Sequence, residues 1–461
     1  MTAHHRIEKD SLGEIKVAKD KYWGAQTQRA LHHFSSALEI MPKPLLIALA
    51  IIKKASALTN KELDCLDKTK ADLIVQVADE IIDGHLFDHF PLHIWQTGSG
   101  TQSNMNVNEV IANRANELLG FCLGLKSPIH PNDHVNMSQS TNDAFPTAMH
   151  IASVLEVKNE LMPALEKMEK VLKEKSLRFK DIIKVGRTHL MDAVPITIGQ
   201  EFSGYTGQIK FATNAIKQSL ENFYPLALGG TAVGTCINTH SQFAKKVANE
   251  IAKITKLPFK TASNKFTAIS SHDPFVGASG SLKTLACALI KICSDISIMA
   301  SGPRSGFSEF ILPQNEPGSS IMAGKVNPTQ CEALTMASIQ VIANDAAITM
   351  GASRGNFQLN AYKPLIIYNY LQSVRILAQS IDNFVEHLLK GLKPNKINIK
   401  KHLDQSLMLV TCLNPILGYD KCAEIVRFAE KENCSIKEAT LKLNFLSSDL
   451  FDKYVDPKKM V

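Results

Sequence analysis

Apolar residues in this chain recur in steps of three and four over segments long enough that only helices packed along their lengths can use them. The clearest stripe is Leu282, Leu285, Leu289, Ile292, Ile296 and Met299. Leu161, Leu165, Met168 and Leu172 repeat it, as do Phe243, Val247, Ile251 and Ile254. Leu334, Ala337, Val341, Asn344 and Ile348 follow the same steps with one polar interruption. Such stripes bury one side of each helix against neighbours at shallow crossing angles, as in a bundle. Their residues therefore read as core rather than as a cofactor box. Pro163 falls early in its helix and predicts a kink there. Few segments alternate as strands, and residues 6–16 read as a short hairpin. An apolar stripe on more than one helix face needs partners from other chains, which predicts a homo-oligomer.

At 461 residues the chain can form two or three domains, or one long helical body with smaller ends. Its formal charge of +7 is spread without a long basic block, which speaks against nucleic-acid binding and suits a small anionic substrate. The nine cysteines are scattered without any C-x-x-C pair. That pattern predicts reduced thiols in the cytoplasm and argues against an iron–sulfur cluster or a cysteine zinc site. The longest uninterrupted apolar run, residues 45–52, is far short of the roughly 20 residues that span a bilayer. Residues 1–10 mix acidic and basic side chains and resemble neither a secretory nor a transit leader.

Chemistry concentrates in four polar segments. Residues 318–327 read Gly-Ser-Ser-Ile-Met-Ala-Gly-Lys-Val-Asn and are followed by Pro328, Thr329, Gln330, Cys331 and Glu332. Asn327 suits an N-cap, Pro328 a first helical position, and Gln330 a capping-box partner. A helix N-terminus attracts anions, and Lys325 adds a full charge just before it. The second segment, Thr97 to Asn104, contains Ser99 and Thr101 and leads into a helical run. In the third, Ser140, Thr141, Asn142 and Asp143 open another helix, with Ser140 and Asp143 fitting a capping box. The fourth is Gly186-Arg187-Thr188-His189. Any one of these could be a helix cap or a turn. Four together offer many neutral donors with one Lys and one His, which suits a small dicarboxylate. No HxxxH or paired-carboxylate motif lies among them, so no metal is expected. His189 fits general acid/base work near neutral pH, with Glu332 as the candidate carboxylate to orient it.

Taken in order, these segments resemble class II fumarase of the fumarase/aspartase superfamily over nearly the whole chain. Further matching runs are Lys21 to Arg29, Trp95 to Thr101, His130-Pro131-Asn132-Asp133, Leu228 to Thr235 and Ser406 to Thr411. Gly324 before Lys325, and Thr329-Gln330-Cys331-Glu332 after Asn327-Pro328, are fumarase-like. Aspartases usually carry Ala before the lysine and Val-Val-Pro-Glu after the Asn-Pro. This chain departs from the family pattern at Ala323, where Pro is usual, and at Thr141, where Ser is common.

The resemblance implies a mainly α fold of three domains. These are an N-terminal lyase domain (1–139), a central long-helix domain (140–362) and a small helical C-terminal domain (363–461). Five central helices per chain would assemble into a twenty-helix tetramer core, with each active site shared by three subunits. The implied reaction is reversible hydration of fumarate to (S)-malate in the tricarboxylic acid cycle, without cofactor, nucleic acid or membrane. Ser319, His189, Glu332, Lys325 and Asn327 would be catalytic. Ser99, Thr101, Ser140, Thr141, Asn142, Thr188 and Ser320 would bind substrate. His130, Asn132 and Asp133 match the family's second dicarboxylate site. The competing readings are aspartate ammonia-lyase, a catalytically retired structural protein on this fold, and an all-α binding module.

Overall fold

The computed structural model describes residues 5–35 and 38–461, so the first four residues of the leader reading lie outside the described residues. Among the described residues there are seventeen α-helices and eight short strands, the strands forming four two-stranded pairs. The expected N-terminal hairpin is present, with His5–Asp10 antiparallel to Gly13–Ala18.

The long helices are Ile198–Leu220, Asp273–Met299, Thr329–Ala352, Lys363–Phe384, and a run formed by Thr141–Glu156, a π-helical turn Val157–Leu161 and Met162–Arg178. The π turn ends two residues before Pro163, which has no N–H to give to the ladder, so the expected irregularity takes this form. The stripes are core. Leu282, Leu285, Leu289, Ile292 and Ile296 are fully buried, and so are Leu161, Leu165, Met168 and Leu172. Ile254, near the end of the Phe243–Thr255 helix, and Ala337 are the exceptions, both half-buried. The polar interruption at Asn344 is a buried junction whose amide donates to Gln372 Oε1 and Ser373 Oγ, both at 2.9 Å.

Two compact units interleave along the chain. One comprises Met1–Met162, Asn214–Thr284 and Ile339–Ile376. Within it the Lys43–Glu62 helix packs on Lys68–Ile82, Thr141–Glu156 and Phe243–Thr255, and His150, Phe223, Phe275 and Tyr370 form an aromatic cluster. The other comprises Pro163–Thr213, Leu285–Ser338 and Leu377–Val461. There the hairpin of Ile183–Thr188 and Met191–Thr197 packs on the Lys396–Gln405 helix and the Leu407–Leu413 turn. A C-terminal cluster around Leu413, Ile425 and Ala439 closes that unit.

One feature differs from the run-based hydropathy reading. The Thr329–Ala352 helix has 24 residues and contains an 18-residue stretch of mean hydropathy 1.2, long and apolar enough to cross a membrane by length and composition alone. Polar breaks such as Glu332 and Asn344 hid it from a search for uninterrupted apolar runs. Its Met336, Ile339 and Met350 are 65%, 56% and 65% exposed on the single chain.

Candidate active site

In the first unit two polar loops sit at helix N-termini. Gly100, at φ 83°, turns the chain into the Thr101–Leu118 helix, and a Cβ there would meet Phe145 at 2.2 Å. Gly98 lies against the Ala361 carbonyl so closely that no side chain fits. These two glycines set Ser99 between them, and its hydroxyl is 2.9 Å from that of Thr101. The second loop enters the Thr141–Glu156 helix through the expected capping box. Ser140 N donates to Asp143 Oδ1 at 2.9 Å, and Ser140 Oγ accepts from Asn142 N at 3.2 Å. Asp143 also accepts from Gly229 N and Thr231 N, both at 2.8 Å, which ties in the Leu228–Thr235 motif. Burial raises its pKa to about 6 against the pull of these backbone donors. Asn142 Nδ2 donates to the Ala232 carbonyl at 2.9 Å.

His130 caps the short π turn Pro131–Val135, with Nδ1 accepting from the backbone N–H of Asn132 and Asp133 at 3.2 Å. Asn132 and Asp133 are exposed.

In the second unit Thr188 and His189 lie at the tip of a hairpin. His189 (φ 57°) and Leu190 (φ 64°) form its two-residue turn, both in the left-handed region that Asn-Gly or Gly-Gly would normally occupy. A His-Leu pair held there is strained, and strain of this kind gathers at functional positions. A bulge at Gly186 precedes them; a Cβ on it would meet the Val194 carbonyl at 2.5 Å. The hairpin is anchored by Arg187, whose Nη1 and Nη2 donate to Glu309 Oε2 and Oε1 at 3.0 and 2.9 Å. Lys184 adds a second cation 3.3 Å from Glu309, and the Arg187 guanidinium lies 4.1 Å from the centre of the Phe307 ring.

The Gly318–Asn327 segment forms a loop with a cavity of about 380 Å³, lined by Ser319 and Lys325 among others. Asn327 Nδ2 donates to the Gly318 carbonyl at 2.6 Å and clips the two ends of the loop together. This corrects the N-cap expectation. The helix starts at Thr329, its first backbone bonds run to the Pro328 carbonyl, and the Asn327 side chain closes the loop with one of its two amide N–H groups. Ser319 Oγ accepts from Met322 N at 3.0 Å and Ile321 N at 3.3 Å. Ser320 and Lys325 are exposed, and Glu332 lies exposed in the first helical turn. Within the chain, no hydrogen bond joins His189 to Glu332 among the described residues.

Two residues escaped the sequence reading. Lys53 is fully buried beneath the polar loops of the first unit, and Glu309 is fully buried behind the hairpin of the second. A lysine directly after the apolar run 45–52 was a signal for the first. Nothing local marks the second. Among the described residues no group of three His, Cys, Asp or Glu is disposed to hold a metal ion.

Comparison with known proteins agrees across the chain. The family described as "Lyase" matches residues 13–343, and "Fumarase C C-terminus" matches residues 409–461. "Fumarate hydratase class II" of Thermosynechococcus vestitus is 56% identical over 99% of this chain and 97% of its own length. The protein of the same description from Chlamydia caviae is 54% identical over 99% of both chains. The crystal structure of class II fumarase from Schistosoma mansoni superposes with a TM-score of 0.97 at 42% identity, covering 99% of each chain. With the fold, the polar loops and this similarity end to end, the chain belongs to the class II fumarate hydratases, hydro-lyases of the fumarase/aspartase superfamily.

Proposed function

We propose that the chain interconverts fumarate and (S)-malate with Ser319 as base and His189 as the group that handles the water proton. In the dehydration direction Ser319 takes the C3 proton of malate. The electron pair left behind is held by the neighbouring carboxylate as an aci-carboxylate dianion. That pair then forms the C2–C3 double bond as the C2–O bond breaks, and the hydroxyl leaves as water with a proton from His189. Hydration retraces these steps. The observation that carries the assignment is the Ser319 oxygen accepting two backbone N–H bonds while sharing a cavity with Lys325. Hydrogen bonds of this kind favour the charged form of an acid, and a serine needs such help to act as a base. Lys325 and Asn327 lie before a helix N-terminus, where preorganised donors would stabilise the dianion.

Ser99, Thr101, Ser140, Thr141, Asn142, Thr188 and Ser320 complete the reading as carboxylate donors. His130, Asn132 and Asp133 form a second dicarboxylate site. Glu332 orients His189 from another subunit of a homotetramer whose sites draw on three chains. The apolar side chains exposed on the Thr329–Ala352 helix support that assembly. The division into residues 1–139, 140–362 and 363–461 belongs to the same reading, as does a cytoplasmic location. Purified protein without added metal, given (S)-malate and separately L-aspartate, tests it by the ultraviolet absorbance of fumarate. Fumarate from malate alone is expected. Fumarate from aspartate alone would make the chain an ammonia-lyase.

A further inference from the structure

The buried lysine beneath the first unit's loops has a specific electrostatic position. Lys53 is fully buried, and its Nζ donates to Asn104 Oδ1 at 2.7 Å, Gln139 Oε1 at 2.8 Å and Asn136 Oδ1 at 3.0 Å. Three amide oxygens therefore surround one ammonium. Two of them come from the approach to Ser140, and one from the first turn of the helix that begins at Thr101. Burying an ammonium costs several kcal/mol, so apolar packing alone would have been served better by Met or Leu.

The contacts have a direction. A lysine has only donors, so Asn104 must turn its oxygen toward Lys53 and its NH₂ away. That NH₂ donates to Thr141 Oγ1 at 3.0 Å and to Asn136 Oδ1 at 3.1 Å. A threonine hydroxyl has one proton to give. With Thr141 Oγ1 accepting from Asn104, its own proton is free for an outside acceptor. Were Asn104 reversed, its oxygen would take that proton.

We propose that Lys53, acting through Asn104, commits the Thr141 hydroxyl to donate to a substrate carboxylate, which makes Lys53 and Asn104 positioning residues for dicarboxylate binding. The proposal rests on the reading of Thr141 as a substrate-binding residue. Burial lowers the Lys53 amine to about 7, with the Asp143 carboxylate opposing, while the three oxygens require its N–H groups. Its charge also lies near the N-termini of both helices, where a carboxylate would settle.

The sharpest test is Asn104→Asp, which is isosteric and keeps an acceptor for Lys53 but cannot donate to Thr141. Thr141 would then turn its proton inward. The expected result is a KM for (S)-malate, and an inhibition constant for succinate, raised at least tenfold with kcat changed less than threefold. Thr141→Val should do the same, and the double variant should be no worse than either single one. Lys53→Met should raise KM alike while the tetramer persists. An unchanged KM in Asn104→Asp, or multiplicative effects in the double variant, would overturn the proposal even if Lys53→Met failed to fold. Wild-type turnover of malate in the same assay separates this from failure of the functional reading, since an inactive wild type would remove the reading itself.

Discussion

The pair behind the Thr188–His189 tip offers a prediction that can be worked through in numbers. Glu309 is fully buried and Arg187 is 11% exposed at its side chain, so the bidentate contact is shielded from water. Removing one partner of a buried pair costs about 3–5 kcal/mol, because the other charge is left unpaired. Lys184, 3.3 Å from Glu309, would compensate part of that, which places Arg187→Met near the lower end, at about 3 kcal/mol. For a chain of 461 residues, an unfolding entropy of about 2.1 cal/mol/K per residue gives about 1 kcal/mol per degree. The melting temperature should therefore fall by about 3 °C, read by calorimetry. The functional effect should exceed what this small loss of folded protein explains. Arg187 is covalently next to Thr188, and a displacement of about 1 Å in a reacting group costs on the order of 100-fold in rate. We expect kcat/KM for malate to drop 10- to 100-fold at a temperature where the variant is fully folded. Glu309→Gln should behave alike, and the double variant should show a coupling of about 2 kcal/mol. A lower melting temperature with normal kcat/KM would make the pair purely structural, and no change in either would refute the reasoning altogether.

Ser319→Ala should reduce kcat by about 10³-fold or more while the elution volume on size-exclusion chromatography stays that of the wild type; near-normal turnover would remove Ser319 as base. Ala323→Pro should lower the conformational freedom of the Gly318–Asn327 loop, slowing its amide hydrogen exchange and altering kcat, whereas unchanged kinetics would show Ala323 to be passive. Lys363 tests the balance of buried charge. Its Nζ is buried with no hydrogen-bond partner among the described residues, and burial lowers its pKa from 10.5 to about 7 against the pull of Asp143. The unfolded chain therefore binds the proton that the folded chain gives up, so this stability is full above pH 10.5 and lost as pH falls through 7. Lys363→Met should be more stable than wild type by about 2 kcal/mol at pH 7, the gap closing as pH rises, in urea unfolding monitored by circular dichroism. An equal gap at pH 7 and 9.5 would exclude the lysine charge as its cause.

How far the sequence discloses this molecule depends on the range of the physics at each residue. The Leu282–Met299 stripe and the Ser140–Asp143 capping box rest on contacts within a turn or two of helix, so spacing alone reveals them. Asn327 misled because the same polar residue can cap a helix or clip a loop. The choice depended on the Gly318 carbonyl nine positions away, which the local pattern does not contain. Glu309 lies farther out of reach, since its partner is 122 residues distant and its surroundings carry no periodicity. Lys53 is intermediate. Its position on an apolar helix is visible, but its meaning depends on amides from two segments more than 50 and 80 residues further along the chain. The lysine's contact with one of them fixes which way Asn104 points and so what Thr141 can give. A motif search finds Thr141 because its hydroxyl can meet a carboxylate. It passes over Lys53 because the contribution is a direction imposed on a neighbour rather than a contact with substrate. Residues of that second kind are the ones where a one-atom change such as Asn104→Asp should leave fold and motif intact and still weaken binding.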